Sequence, residues 1–318
     1  MNTTVRNAPS PAAMTTSSYK PLSRKGLSAS FKEHMLAYLF LAPSITLFSL
    51  FLLYPLVKSV YLSFFLTDPR GNIAAYVGLD NFRLLLGSSQ FWNSLAVTGK
   101  FVLLTVPGGL LLGLIMAAFA HSRLKGVRLF QFIFSLPLAL SVSTSAVIWM
   151  MLFHPTLGMF NYFLDLAGLP AVQWLTDSRW ALISISIMTL WMNSGFNFIV
   201  LLSGLQGIPE DMYDSAKVDG AGPFRTFIRI ILPLLSPTLF FLLIVSVIGS
   251  FQAFGQMHIL TKGGPAGSTE VFVYSIYKEA FVNYQFGTGS AMAIVLFLLI
   301  LTLTLIQFTI LEKKVHYQ

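Results

Sequence analysis

The chain has 318 residues, of which 55% are apolar and only 10% charged, against roughly a quarter charged in an ordinary soluble domain. So little polar surface cannot cover a soluble protein of this size, and the apolar residues run in long blocks, which points to a membrane protein. The formal net charge of +8 then reads as attraction to membrane lipid and as an orientation signal rather than nucleic-acid binding, and the absence of cysteine excludes disulfides, thiol nucleophiles and cysteine-held metals.

Residues 1–33 are rich in Ser, Thr, Pro and Ala and are expected to form a disordered cytoplasmic tail. They hold no apolar core followed by a cleavage site, so the first apolar block is expected to act as an uncleaved anchor. A bilayer-crossing helix needs about 20 apolar residues. Six blocks qualify: about Met35–Val57, Leu95–Ala120 (with Pro107, Gly108 and Gly109 inside it), Phe130–Phe153, Trp180–Leu202, Leu235–Met257 and Ala291–Leu311. Backbone exposed to lipid must satisfy its own hydrogen bonds, so these read as helices; the alternating ten-residue segments of a β-barrel are not seen. Between the first two blocks, the DNFRLLL run (residues 80–86) is either an interfacial helix or a plain connecting loop. The expected fold class is an all-α membrane protein with six transmembrane helices in one domain, residues 34–318.

Lys and Arg set the orientation. They gather in the tail (Arg6, Lys20, Arg24, Lys25, Lys32), after block two (Arg123, Lys125, Arg128), after block four (Lys217, Arg225, Arg229) and at the end (Lys313, Lys314). The other loops hold only Arg70, Arg83, Arg179, Lys262 and Lys278. Both termini and the segment after block four are therefore expected to be cytoplasmic.

That segment concentrates charge in a chain that otherwise avoids it. Pro209 suits a first helical turn, and Glu210 and Asp211 suit the positive end of a helix dipole. Ala216 continues the helix, and Gly220 and Gly222 are expected to stop it. A second helix starts near Pro223, with Phe224, Phe227, Ile228 and Ile231 predicted on one apolar face and Arg225 and Arg229 on another. Two glycines around the small Ala221 allow another backbone to come close, which suggests a cytoplasmic protein partner. The alternative is an interfacial helix pair that only joins two spans.

Asp214-Ser215-Ala216, then Gly220, then Ile230, Leu232 and Pro233 resembles the cytoplasmic signature of ABC-importer permeases: Glu-Ala-Ala, three residues, Gly, nine residues, Ile, one residue, Leu-Pro. Asp214 and Ser215 depart from that pattern, one keeping the charge on a shorter arm and the other close to Ala in size. The stretches GLQGIPEDMYDSAKVDGAG, LTKGGP (260–265) and YVGLDNF (76–82) are similar to the sugar-type branch, which includes maltose and glycerol-3-phosphate permeases. The resemblance covers most of the chain after the tail. It implies the ABC type I importer permease fold in a bacterial or archaeal plasma membrane, with a coupling-helix region at about 207–233. It implies a second homologous permease subunit as heterodimer partner, a cytoplasmic ABC ATPase dimer and an extracytoplasmic solute-binding protein. It assigns ATPase coupling to Glu210, Asp211, Asp214, Ser215, Ala216, Asp219, Gly220, Ala221 and Gly222. No cofactor of the chain's own is implied; ATP and Mg would be bound by the partner ATPase.

The sequence carries no Gly-x-x-x-x-Gly-Lys-Ser/Thr loop, which fits a permease that borrows an ATPase and equally a secondary transporter. The span cores contain no Asp or Glu, which argues against ion coupling. His34, His121, His154, His258 and His316 are scattered without metal spacing, and no HExxH or Gly-x-Ser-x-Gly motif supports a membrane enzyme. Trp149, Asn193, Asn197, Ser250, Gln252 and Gln256 are candidates for the substrate pathway, since neutral amides and an aromatic plane suit hydroxyl-rich solutes. The alternative is helix–helix hydrogen bonding. No Lys or Arg lies mid-span, which favours a neutral sugar. The stretches LEKKVHYQ and FRTFIRIILPLLSPTLFFLL are nonetheless similar to glycerol-3-phosphate permeases. The expected solute is a carbohydrate or polyol, with glycerol-3-phosphate as a named option.

Overall fold

The structure is a computed structural model that describes residues 27–121 and 126–312, with side chains from residue 35. Residues 1–26 of the expected tail, Arg123, Lys125 and the 313–318 end lie outside the described residues. The chain divides into two compact units between Pro55 and Leu56.

In the first unit α1 (Leu27–Phe48) runs into a π-helical turn, Ser49–Leu53. Residues 27–33 are thus helical rather than disordered. Adding a residue to a formed helix costs little. The π turn has a cause in the sequence. Pro55 has no N–H to offer the carbonyl four residues back, and the turn before it widens, with Tyr54 N–H donating to Ser49 O. α2 (Tyr54–Leu62) follows, and Met35–Leu62 is long and apolar enough to cross a membrane.

The second unit opens with a hairpin that adds a little sheet to the expected all-α fold. β1 (Phe65–Thr67) pairs antiparallel with β2 (Ile73–Tyr76), with Phe65 opposite Tyr76 and a bulge at Leu66/Thr67. The DNFRLLL run is a helix, α3 (Asp80–Gly87). Asn81 is buried beneath the hairpin and donates to Ser63 O (2.9 Å) and Phe65 O (3.1 Å). Then come α4 (Ser89–Ala120), α5 (Val127–Ser135), α6 (Val142–Leu152), α7 (Met159–Leu166) and α8 (Ala181–Gln206). These are followed by α9 (Glu210–Val218), α10 (Pro223–Thr226), α11 (Leu232–Leu234), α12 (Ser236–Phe251), α13 (Gly255–Leu260), α14 (Phe272–Tyr277) and α15 (Phe286–Leu311).

Five helices among the described residues are long and apolar enough to span a membrane, and a sixth crossing requires counting α5 and α6 together. Those two meet at 104°, so the expected straight block Phe130–Phe153 is a bent one. The cause is local. Pro137 sits in a 3-10 turn, Leu136–Ala139; Leu140 is extended; and Ser141 caps α6 by accepting from Thr144 N–H at 3.1 Å. The expected block Leu235–Met257 is likewise interrupted, between Phe251 and Gly255. Pro107 leaves α4 unbroken.

The bundle is built on the pairing of α4 with α8. Gly113 makes this approach possible: a Cβ there would lie 2.7 Å from Asn197 Cβ and 3.2 Å from its backbone carbon. Around the seam the buried side chains form three clusters. Phe101, Trp149, Phe153, Ile185 and Met257 pack at the hairpin end. Ala117, Phe198, Leu205, Ile231 and Leu235 pack at the α9 end. Phe91, Phe251, Phe272 and Met292 join α4, α12, α14 and α15.

A buried carboxylate fastens the hairpin end. Glu270 accepts from Gln90 Nε2 (2.7 Å), Ser275 Oγ (2.9 Å) and Lys278 Nζ (2.9 Å), tying α4 to α14. Burial pushes its carboxyl up, but these hydrogen bonds and the Lys278 charge outweigh that and hold it below the ordinary carboxylate range.

Two expectations follow. Gly113→Val should destabilise the chain by about 1–3 kcal/mol through overpacking, while Gly99→Ala on the same helix, with nothing within 4 Å of its Cβ, should melt like the parent in detergent. Equal melting temperatures for all three would contradict a close α4–α8 seam. For Glu270, a lowered folded pKa means a contribution present above the unfolded carboxylate value of about 4.3 and lost as pH falls through the folded value. Glu270→Gln should therefore melt lower than the parent at pH 7, and the gap should close in acid; a gap that is constant with pH would rule out the ionised network.

Candidate functional site

Block four does not end at the membrane but hands the chain directly to a short projecting helix. Gly207 closes α8, Ile208 is buried, and Pro209 is the N-cap of α9 with φ −57° and ψ 139°, one position before the first helical turn expected for it. Glu210 and Asp211 occupy that turn. Ala216 is 1% exposed and Tyr213 half-buried, so these two, three residues apart, form the inward face. Tyr213 packs on the cluster at this end, and its Oη shares a hydrogen bond of 3.3 Å with His121 Nε2 just beyond α4. Burial pushes the Tyr213 phenol up.

The rest of α9 faces outward. Glu210, Asp211, Asp214, Ser215, Asp219 and Gly220 are exposed, and Val218 is 88% exposed. Lys217 Nζ donates to Asp214 Oδ1 at 2.8 Å on this face, a pair too exposed to contribute much stability. The helix ends in a Schellman motif: Gly220 N–H donates to Lys217 O (3.0 Å) and Ala221 N–H to Ala216 O (2.9 Å), with Gly220 at φ +68°. Gly220 alone is left-handed. Gly222, expected to share that task, is extended (φ −67°, ψ 162°) and caps α10 ahead of Pro223.

The apolar face predicted for Phe224, Phe227, Ile228 and Ile231 is split. Ile231 is buried and Phe227 packs on the core, whereas Phe224 is 78% exposed and Ile228 is exposed. Residues Phe227–Ile231 form a second π turn, with Leu232 N–H donating to Phe227 O. As at Pro55, a proline follows by one residue: Pro233 cannot serve the carbonyl of Arg229. The wider turn breaks the 3.6-residue period on which the prediction rested.

Four of the six pathway candidates are buried within the subunit. Ser250 Oγ lies 3.1 Å from Thr105 Oγ1, and Gln256 Nε2 donates to Thr189 Oγ1 at 3.3 Å, both buried bonds between helices. Asn197 is buried at the α4–α8 seam, and Trp149 sits among Phe153, Phe160 and Trp191 with ring centres 5.2–5.7 Å away. Only Asn193 and Gln252 are exposed on the subunit. Asn193 shares an exposed stripe of α8 with Ile187, Phe196 and Ile199. Sequence reasoning missed Tyr213, His121 and Val218. The spacing of Tyr213 and Ala216 held a signal for the first; nothing in the sequence singled out Val218.

A bundle of membrane-length helices carrying an exposed, glycine-cornered helix between its fourth and fifth spans defines a transport permease. The chain belongs to the family described as binding-protein-dependent transport system inner membrane component, whose profile matches residues 109–317. It is an integral membrane permease subunit of an ABC-type importer, not an enzyme and not a self-contained carrier. It is 34% identical to the sn-glycerol-3-phosphate transport system permease protein UgpA of Agrobacterium fabrum over 293 residues, covering 91% of this chain and 99% of the relative. It is 35% identical to the protein of the same name in Rhizobium meliloti, covering 90% and 98%. In fold it is similar to a chain in the crystal structure of a bacterial ABC transporter involved in the import of the acidic polysaccharide alginate. That match has a TM-score of 0.81 at 24% identity and covers 91% of this chain and 99% of the other.

The left-handed Gly220 gives a direct expectation. Gly220→Ala meets no neighbour within 4 Å but pays roughly 1–2 kcal/mol for its Cβ in that conformation. Hydrogen exchange at the Gly220 and Ala221 amide positions should accelerate in the Ala variant and stay near the parent in Gly220→Asn, since Asn tolerates this region. Identical exchange in all three proteins would show that the corner does not depend on glycine.

Proposed function

We propose that the α9 corner docks on a cytoplasmic ABC ATPase and that the chain forms half of a translocation pathway with a second, homologous permease. The observation that carries this is the outward face of α9: an 88%-exposed Val218 among acidic and small residues, on a helix held from behind by Tyr213 and Ala216. A lone exposed valine is ordinary on a protein surface; here it stands beside the exposed motif residues Asp214, Ser215 and Gly220, and that combination supports a docking face. α9 is continuous with α8 before it and, through α10 and α11, with α12 after it. A push on the corner is therefore delivered to α8, which carries Asn193, and to α12, which ends beside Gln252. ATP and Mg are assigned to the partner ATPase, and the gathering of Lys and Arg supports a cytoplasmic position for this end.

At the opposite end a solute-binding protein delivers the solute. The relatives named for sn-glycerol 3-phosphate transport support a polyol phosphate or related carbohydrate as that solute. Asn193 and Gln252, the two pathway candidates exposed on the subunit, are the side chains offered to its hydroxyls.

Co-expression with the neighbouring transport genes and affinity purification of this chain should recover an ATPase. Val218→Arg should reduce the recovered ATPase at least tenfold while leaving the melting temperature unchanged, because the side chain touches nothing of its own subunit's core. Recovery of equal ATPase with the variant would remove α9 as the docking element. Uptake of labelled sn-glycerol 3-phosphate but not maltose by cells expressing the set should identify the solute class; the reverse preference would overturn it.

A further inference from the structure

A cavity of about 660 Å³ opens between α4, the start of α8 and the 266–268 loop. Its lining includes the polar Lys100, Arg179 and Ser268 and the apolar Leu103, Leu104 and Ile183. No part of the α9 corner and none of the pathway candidates line it.

Depth fixes what this cavity meets. From Lys100 to Ala120 an α-helix spans about 30 Å, which is the thickness of the hydrocarbon core. With Ala120 at the α9-side interface, Lys100 lies at the opposite one, and Leu103 and Leu104 lie just inside the hydrocarbon. Leu103 is 73% exposed there.

The charges do not cancel. Arg179 is engaged by Asp177, with Nε to Oδ1 at 3.2 Å and Nη2 to Oδ2 at 2.8 Å. That fork neutralises Asp177 and leaves three guanidinium N–H donors unspent. Lys100 makes no ion pair among the described residues. One positive charge at the rim is therefore uncompensated. Ser268 lines the cavity through its other atoms, its Oγ being enclosed. An ammonium and spare guanidinium donors together suit a phosphate. Leucine and isoleucine in the same lining suit an alkyl chain. A free sugar phosphate would use the first feature and not the second.

We propose that this cavity is a site for an anionic membrane phospholipid, with its phosphate at Lys100 and Arg179 and one acyl chain along Leu103, Leu104 and Ile183. The site does not depend on the ATPase docking or the solute proposed above.

Native mass spectrometry of the whole purified importer, titrated with phosphatidylglycerol or with phosphatidylcholine of the same chains, tests it. The parent should retain phosphatidylglycerol preferentially, and Lys100→Glu should lower that retention at least fivefold. Lys100→Gln gives the same reading if the Glu variant does not assemble. Millimolar sn-glycerol 3-phosphate should not displace the lipid. Equal retention of both lipids by the parent would overturn the site, as would unchanged retention in a folded Lys100 variant. Displacement by sn-glycerol 3-phosphate would reassign the cavity to the solute, and absence of lipid at this site in the assembled importer would assign it to the partner permease.

Discussion

The seam between α4 and α8 is the contact on which the rest of the bundle depends. In lipid, apolar side chains gain little from leaving their surroundings, so helices associate where backbones come close and dispersion contacts are dense. Gly113 supplies that approach and Asn197 fills it. The clusters at both ends of the bundle draw on residues of these two helices, Phe101 and Ile185 at one end and Ala117 and Leu205 at the other. Because α8 runs on to α9, the same seam sets where the projecting corner stands. His121, one residue past α4, meets Tyr213 of α9 and closes the loop of contacts.

Two π turns show how a single missing donor reshapes a helix at a distance. Each precedes a proline by the same interval, Ser49–Leu53 before Pro55 and Phe227–Ile231 before Pro233. The proline removes one backbone bond, and the chain recovers by a bond one residue longer. The helix continues, but its faces are rotated. That rotation brings Ile231 into the core and leaves Phe224 outside it, on a stretch whose 3.6-residue pattern predicts one shared face.

Much of the fold was legible in the sequence. Block length located the crossing helices, since bilayer thickness leaves little choice, and Gly220 marked the end of α9 because few other residues adopt its conformation. Less legible were features set by backbone bookkeeping inside apolar stretches. The bend at Pro137–Ser141 and the break at Gln252 fall in runs whose composition differs little from a straight span. The candidate site divided in the same way. The outward residues of α9 follow from the motif, whereas four of the six pathway candidates are buried within the subunit, where such a residue serves either a helix contact or a pathway. A polar residue in an apolar run looks the same in sequence whichever it serves.

The two exposed amides carry a further meaning for the life of the chain. Asn193 and Gln252 face outward from a subunit whose surroundings, before assembly, are hydrocarbon. An amide is poorly solvated there, and a partner of matching polarity relieves it. A newly made copy is therefore least at ease while alone. The same two amides therefore distinguish an orphan subunit from an assembled one and would mark it for cellular surveillance that removes unpaired membrane chains.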